Sequence, residues 1–226
     1  MSTKLKIAAA VAAAVLRSAC SSPKHEPMPL VNFTPSMEVT EVWSKGLSSA
    51  EGFLVPAVYD DMVFAAGGKT LTRLNARTGE TEWSVSFDSP ITGGVGSDGY
   101  VTAVGLWDGN LEVVDAEGKV SWEKKLTTEL ASPPVVSHGL VIARTMDTRV
   151  SAFEASSGEL QWTYQKSQPA LTVRLPTRML AHDNFLLVGQ PNGHIVILDI
   201  ASGKPMFEFQ VAQAKGVTEV ERLVDV

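Results

Sequence analysis

Between residues 56 and 211 the chain is cut into short apolar runs separated by pairs of turn-forming residues. In one stretch Val135, Val136 and Ser137 precede the pair His138-Gly139. An apolar run over 140–145, a turn near Asp147-Thr148 and a third run over 149–154 follow. The turn Ser156-Ser157-Gly158 then leads to a fourth run over 160–165. The same plan recurs in three other units, with first turns at Asp60-Asp61, Asp98-Gly99 and Asp183-Asn184 and second turns at Gly67-Gly68, Asp108-Gly109 and Asn192-Gly193. Such pairs accept the positive φ of a tight hairpin and so fix strand register. Runs such as Ile195-Val196-Ile197-Leu198 are apolar at consecutive positions, which predicts strands covered on both faces. No segment sustains a helical period. The pattern predicts an all-β body of four units, each with four short strands.

A second regularity sets the architecture. Trp43, Trp83, Trp122 and Trp162 lie 40, 39 and 40 residues apart, and Phe207 takes the next place after 45. Each of the last four follows a turn, opening at Asn75, Asp115, Glu154 and Asp199 and closing at Gly79, Gly118, Gly158 and Gly203. A period near 40 with β segments and turns is the signature of a propeller, whose repeats bury their faces by stacking. One large aromatic at the same place in every blade is expected to pack between blades; an aromatic binding cage is the other reading. The segment Glu41-Val42-Trp43-Ser44 resembles the last strand of a unit, with nothing upstream to supply its first three strands. It is the kind of N-terminal strand that closes a ring by joining the final blade. The chain is therefore expected to be the N-terminal portion of a longer ring. A four-bladed ring is possible in principle, but the strand around Phe207 would then compete with the strand at Trp43. An open blade face of ~800 Å² forfeits on the order of 10 kcal/mol of apolar burial. The chain alone is accordingly expected to be marginal and prone to associate.

Composition narrows the class. Hydrophobic residues make up 44% of the 226 and charged residues 19%, which suits a packed core. The net charge of −6, with no Lys/Arg-rich block, argues against nucleic acid as a partner. Residues 1–19 read as an export signal. Lys4 and Lys6 form a basic start, residues 7–16 an apolar core too short to span a bilayer, and Ser18 and Ala19 precede the single cysteine, Cys20. This arrangement resembles a bacterial lipoprotein signal with Cys20 as the lipidation site. Arg17 stands where that pattern wants an apolar residue; the alternative is a free cysteine in an ordinary signal. Residues 20–40 carry Pro23, Pro27, Pro29 and Pro35 and read as a tether from Cys20 to the propeller at 41–226.

Catalytic chemistry is sparse. His25 lies in the tether, and His138 and His182 fall at near-equivalent turn positions, which predicts solvent-facing structure. Neither these nor His194 belongs to a metal or nucleophile motif. Asp and Glu are scattered through turns, where they bond the local backbone. No small-molecule substrate, metal or cofactor is implied. Trp107 stands off the 40-residue beat with no assigned role. The longer interval after Trp162 places extra residues at 167–177, including Leu171, Val173, Arg174 and Leu175. Apolar residues with an arginine suit a protein interface; they are equally compatible with side chains tucked under the blades.

The repeated turn-Gly-x-x-x-Trp units resemble the pyrroloquinoline-quinone-type propellers, usually eight-bladed. Within them the chain is similar to the BamB family, lipoproteins of the bacterial outer-membrane barrel assembly machinery. The most specific segments are Pro169-Ala170-Leu171-Thr172-Val173-Arg174 and the stretch from Gly216 to Asp225. The resemblance implies eight blades, about four of them in this chain. It also implies a scaffold held at the periplasmic face of the outer membrane by a lipid, binding the periplasmic POTRA repeats of BamA through Leu171, Val173, Arg174 and Asp225. Val173 departs from the family's leucine. A quinone-dependent dehydrogenase of the same superfamily is the alternative. It calls for calcium and quinone ligands around the ring axis and often a vicinal disulfide, which one cysteine cannot form.

Overall fold

The computed structural model describes residues 36–37, 39–48, 54–166, 177–191 and 193–211. The described residues contain strands and turns and no helix. Four antiparallel sheets follow one another along the chain, each with four strands in sequence order. Blade 1 holds β1 (Ala57–Tyr59), β2 (Met62–Gly67), β3 (Thr70–Asn75) and β4 (Thr81–Ser86). Blade 2 holds β5 (Ile91–Ser97), β6 (Thr102–Leu106), β7 (Asn110–Val114) and β8 (Val120–Lys125). Blade 3 holds β9 (Val135–Ser137), β10 (Leu140–Arg144), β11 (Val150–Glu154) and β12 (Leu160–Tyr164). Blade 4 holds β13 (Leu180–His182), β14 (Phe185–Gly189), β15 (His194–Asp199) and β16 (Pro205–Gln210). The fold is a partial β-propeller, all-β, with four-stranded antiparallel blades.

Positive φ falls where the turn pairs predict it. The first hairpins turn on Asp60, Gly99, His138 and Asp183, the second on Gly68, Gly109, Thr148 and Gly193. One alignment is corrected. The residue equivalent to His138 is Asp183, with φ of 48° against 55°, and His182 is the last residue of the strand before it.

Consecutive apolar residues serve two seams at once. On β6, Ala103 joins the core between blades 2 and 3, whereas Val104 and Leu106 join the core between blades 1 and 2. On β10, Val141 and Ala143 face blade 2 while Leu140 and Ile142 face blade 4. Every residue of these two strands is buried. Blade 4 differs: buried Leu186 and Val188 on β14 alternate with more exposed positions, and β16 is exposed throughout. Its second face has no neighbour among the described residues, so the alternation expected of a half-covered sheet returns.

The tryptophans form the seams. In each blade the outermost pair of strands carries a bulge, and the extra residue (Glu82, Ser121, Gln161 or Met206) immediately precedes the aromatic. A bulge re-aims the side chain that follows it. Trp83 Nε1 donates to the carbonyl of Ala116 (3.0 Å), Trp122 to Ala155 (2.8 Å) and Trp162 to Ile200 (2.8 Å), in each case on the next blade's outer turn. The indole lies flat on that turn's glycine. A Cβ on Gly118 or Gly158 would sit 2.8 Å from the indole of Trp83 or Trp122, and both glycines adopt positive φ. Glycine is therefore required twice over, for backbone conformation and for close approach.

Trp43 makes the same contacts on blade 1, with Nε1 2.9 Å from the carbonyl of Ala76 and the ring on Gly79. The expectation that residues 41–44 form a strand is not met: residues 39–48 have no ladder partner. The indole's docking site is supplied by the blade ahead, whereas a ladder needs a blade behind, and no described blade offers that edge.

Candidate functional site

The site is built from one end of the propeller, where two kinds of connection meet. The second hairpins (67–70, 106–110, 144–150 and 189–194) and the links between blades emerge together. Backbone hydrogen bonds stitch them into a frame. Phe87 N donates to Lys69 O (2.9 Å), Leu126 N to Gly109 O (3.0 Å) and Val211 N to Gly193 O (3.0 Å), tying the exits of blades 1, 2 and 4 to their own blades' hairpins. Trp107 N to Pro90 O (2.8 Å) and Met146 N to Glu129 O (3.0 Å) tie the first two links to the next blade's hairpin. Irregular backbone whose polar groups are satisfied in this way presents side chains from a fixed platform.

Leu171, Val173 and Arg174 lie in the link between blades 3 and 4, and Asp225 lies beyond blade 4; all four, with Cys20, fall outside the described residues. Their flanks are described. Before the 167–176 segment, Gln165 Nε2 reaches Asp147 O (3.5 Å); after it, Arg144 Nη1 donates to Thr177 Oγ1 (2.7 Å). Both flanks therefore bracket the β10–β11 hairpin. Val211, which precedes the second segment, is anchored to the β14–β15 hairpin. The described residues that flank the two segments singled out in the sequence lie at the same end of the blades.

Charged groups at this end are locked in local pairs. Lys166 Nζ approaches the Glu208 carboxylate at 2.5 and 2.7 Å, and His194 Nδ1 lies 2.9 Å from Glu208 Oε1. The Lys166 hydrogen bonds hold the Glu208 carboxyl below the ordinary range despite its partial desolvation. Burial alone would raise the Asp147 carboxyl, but hydrogen bonds from Thr145 and Thr127, with help from Arg149, outweigh it and hold Asp147 low and ionised. Nothing in the one-dimensional pattern marked these clusters, because their members lie up to 42 residues apart.

Among the described residues no group of three or more His, Cys, Asp and Glu is placed to hold a metal ion. The strands at the inner edges of the blades, β1, β5, β9 and β13, carry no Asp or Glu. Their side chains are mostly aliphatic, glycine or serine.

Four sequential four-stranded blades, latched by a tryptophan that docks on the next blade's turn, define a β-propeller of the pyrroloquinoline-quinone type. The family model described as "Outer membrane protein assembly factor BamB" matches residues 67–226. The chain belongs to the BamB family. It is 38% identical over 224 residues to the outer membrane protein assembly factor BamB of Burkholderia pseudomallei, an alignment covering 96% of this chain and 59% of that protein. The crystal structure of BamB from Moraxella catarrhalis superposes with a TM-score of 0.68 at 29% identity, over 76% of this chain and 53% of that one. Quinohemoprotein alcohol dehydrogenase from Comamonas testosteroni, at 20% identity, a TM-score of 0.54 and coverage of 73% and 35%, shares the fold alone. The chain thus spans between half and three fifths of the length of these two BamB proteins.

Proposed function

We propose that this chain is a non-enzymatic scaffold lipoprotein that assists assembly and insertion of β-barrel proteins into the bacterial outer membrane. It works by binding the periplasmic POTRA repeats of BamA through Leu171, Val173, Arg174 and Asp225. Support comes first from membership of a family whose proteins are named outer membrane assembly factors. The observation that carries the reading is that both partner-binding segments depart from one hydrogen-bonded end of the propeller. A single partner can touch both without any blade moving. The role of the blades is to fix the points from which these segments start, and a preorganised surface loses little entropy on binding. The reading asks for no reaction and no cofactor.

Changing Leu171 and Arg174 together to alanine is expected to abolish co-purification with BamA while leaving the protein folded. Retention of BamA by that double variant sinks the assignment. Bound quinone absorbance, or alcohol oxidation restored by quinone and calcium, would instead favour the dehydrogenase reading.

Anchoring at the periplasmic face of the outer membrane rests on Cys20. Expressed from its own signal in a Gram-negative host, the protein is expected to carry a diacylglyceryl group on Cys20 and to lose residues 1–19. Intact mass spectrometry checks this: an unmodified Cys20 in the exported protein rules the anchor out and leaves Arg17 as the cause.

A further inference from the structure

Trp107 and Met146 look unrelated in the sequence, but they occupy the same place in neighbouring blades. In the second hairpins of blades 2, 3 and 4, counting back two residues from the positive-φ position (Gly109, Thr148 and Gly193) gives Trp107, Met146 and Pro191. Pro191 is buried, whereas Trp107 is 57% exposed and Met146 39%. The hairpin closes equally well on proline, so its conformation does not call for a large apolar side chain there. Both residues have their backbone fixed, Trp107 N on Pro90 O and Met146 N on Glu129 O. They are also linked to each other. The Gly109 turn lies against Thr128 and Glu129, and Thr128 Oγ1 accepts from Met146 N at 3.0 Å. An exposed tryptophan and an exposed methionine on neighbouring, hydrogen-bonded hairpins are residue types enriched at protein interfaces.

The surroundings state what such a partner needs. Asp88, Asp108, Glu129 and Asp147 belong to the same end of blades 1 to 3. Cations stand beside three of them and keep their charge: Lys69 donates to Asp88 O, Lys125 to Asp108 O, and Arg149 pairs with Asp147. An apolar pair within a rim of both charge signs fits a folded protein domain that offers an apolar hollow edged by polar and charged groups. The patch is continuous with the partner-binding end, because the flanks of the 167–176 segment clasp the β10–β11 hairpin that carries Met146.

We propose that Trp107 and Met146 form a second anchor for the same protein partner, extending its footprint from the 167–176 link across blade 3 to blade 2. This rests on the partner-binding reading above. The test titrates the full chain against the purified POTRA repeats of BamA. It compares the parent, Trp107→Ala/Met146→Ala and Leu171→Ala/Arg174→Ala, with near-ultraviolet circular dichroism to verify folding. The Trp107→Ala/Met146→Ala pair is expected to weaken binding at least 10-fold. Met146→Ala alone, which leaves the hairpin's backbone bonds in place, is expected to weaken it several-fold and replaces the pair if the pair does not fold. If the Leu171/Arg174 variant loses binding while the Trp107/Met146 variant stays within twofold of the parent, the second anchor is overturned and the function stands. If neither variant weakens binding, both readings fall. If only the Trp107/Met146 variant weakens it, the second anchor stands and the link assignment fails.

Discussion

Trp162→Ala is expected to lower the free energy of unfolding by about 4 kcal/mol, measured by urea denaturation followed by circular dichroism. Trp162 is the most enclosed of the five repeat aromatics, at 9% exposure, and it packs into the core shared by blades 3 and 4. Truncation to alanine removes that packing and leaves a cavity, which for a buried tryptophan costs about 3–5 kcal/mol. It also strips the carbonyl of Ile200, a residue 1% exposed, of its indole donor. An unsatisfied buried acceptor adds about 1–3 kcal/mol, partly offset if water enters the cavity. Trp162→Phe separates the two contributions, since most of the ring remains and only the N–H is lost; its expected cost is about 1–2 kcal/mol. Gly158→Ala attacks a latch from the other side. With φ of 70° and the Trp122 ring 2.8 Å from the new Cβ, it is expected to cost about 2 kcal/mol. The series has a built-in contrast in Phe207. It holds the tryptophan position of blade 4 but is 63% exposed, so Phe207→Ala is expected to cost under about 0.5 kcal/mol. A loss below about 1 kcal/mol for Trp162→Ala would show that the seams owe their strength to the strands alone.

Much of this fold is legible from local chemistry, and the limits of that legibility are physical. Turn pairs such as Asp108-Gly109 and Asn192-Gly193 announce themselves because few residues accept positive φ. Thr148 does so without being glycine, and this hid the correspondence between Met146 and Trp107. The 40-residue tryptophan beat reports blade stacking because each indole needs the glycine of the following turn. It does not report strands: Trp43 keeps its place on Gly79 although residues 39–48 join no ladder. The alignment of His138 with His182 slipped by one residue because composition resembled register. As for the site, the 167–176 segment stood out by its length and its apolar content. That its flanks bracket the β10–β11 hairpin, two strands back in the chain, is a long-range fact that only the folded topology supplies.

Glu112 is a different case, an acidic residue between Leu111 and Val113 in a run that is otherwise core. It is 8% exposed and pairs across the strands with Glu123. Burial, then the charge and hydrogen bond of Glu123, then the charges of Asp108 and Asp88 raise its carboxyl to about 7. The lysines beside this seam donate to backbone carbonyls, Lys69 to Asp88 and Lys125 to Asp108, and neither forms an ion pair with Glu112. The folded protein therefore holds a proton on Glu112 up to about pH 7, whereas the unfolded chain releases it near its ordinary value of 4.5. Between those two values the native state binds more protons than the unfolded state, so stability falls as pH rises through the window and levels off above it. The loss attributable to Glu112 is at most about 3 kcal/mol across that range. Asp147, Asp199 and Glu208 have lowered values; they stabilise above the unfolded carboxylate range and act in a separate, more acidic window. Glu112→Gln keeps the shape and the hydrogen-bonding capacity of the neutral acid and removes the titration. The variant is expected to match the parent near pH 5 and to exceed it by about 2 kcal/mol at pH 8, read from paired urea melts at the two pH values. An equal gap between parent and variant at both pH values would mean that Glu112 is already ionised at pH 5 in the folded protein. The burial between blades 1 and 2 would then be too wet to raise its carboxyl.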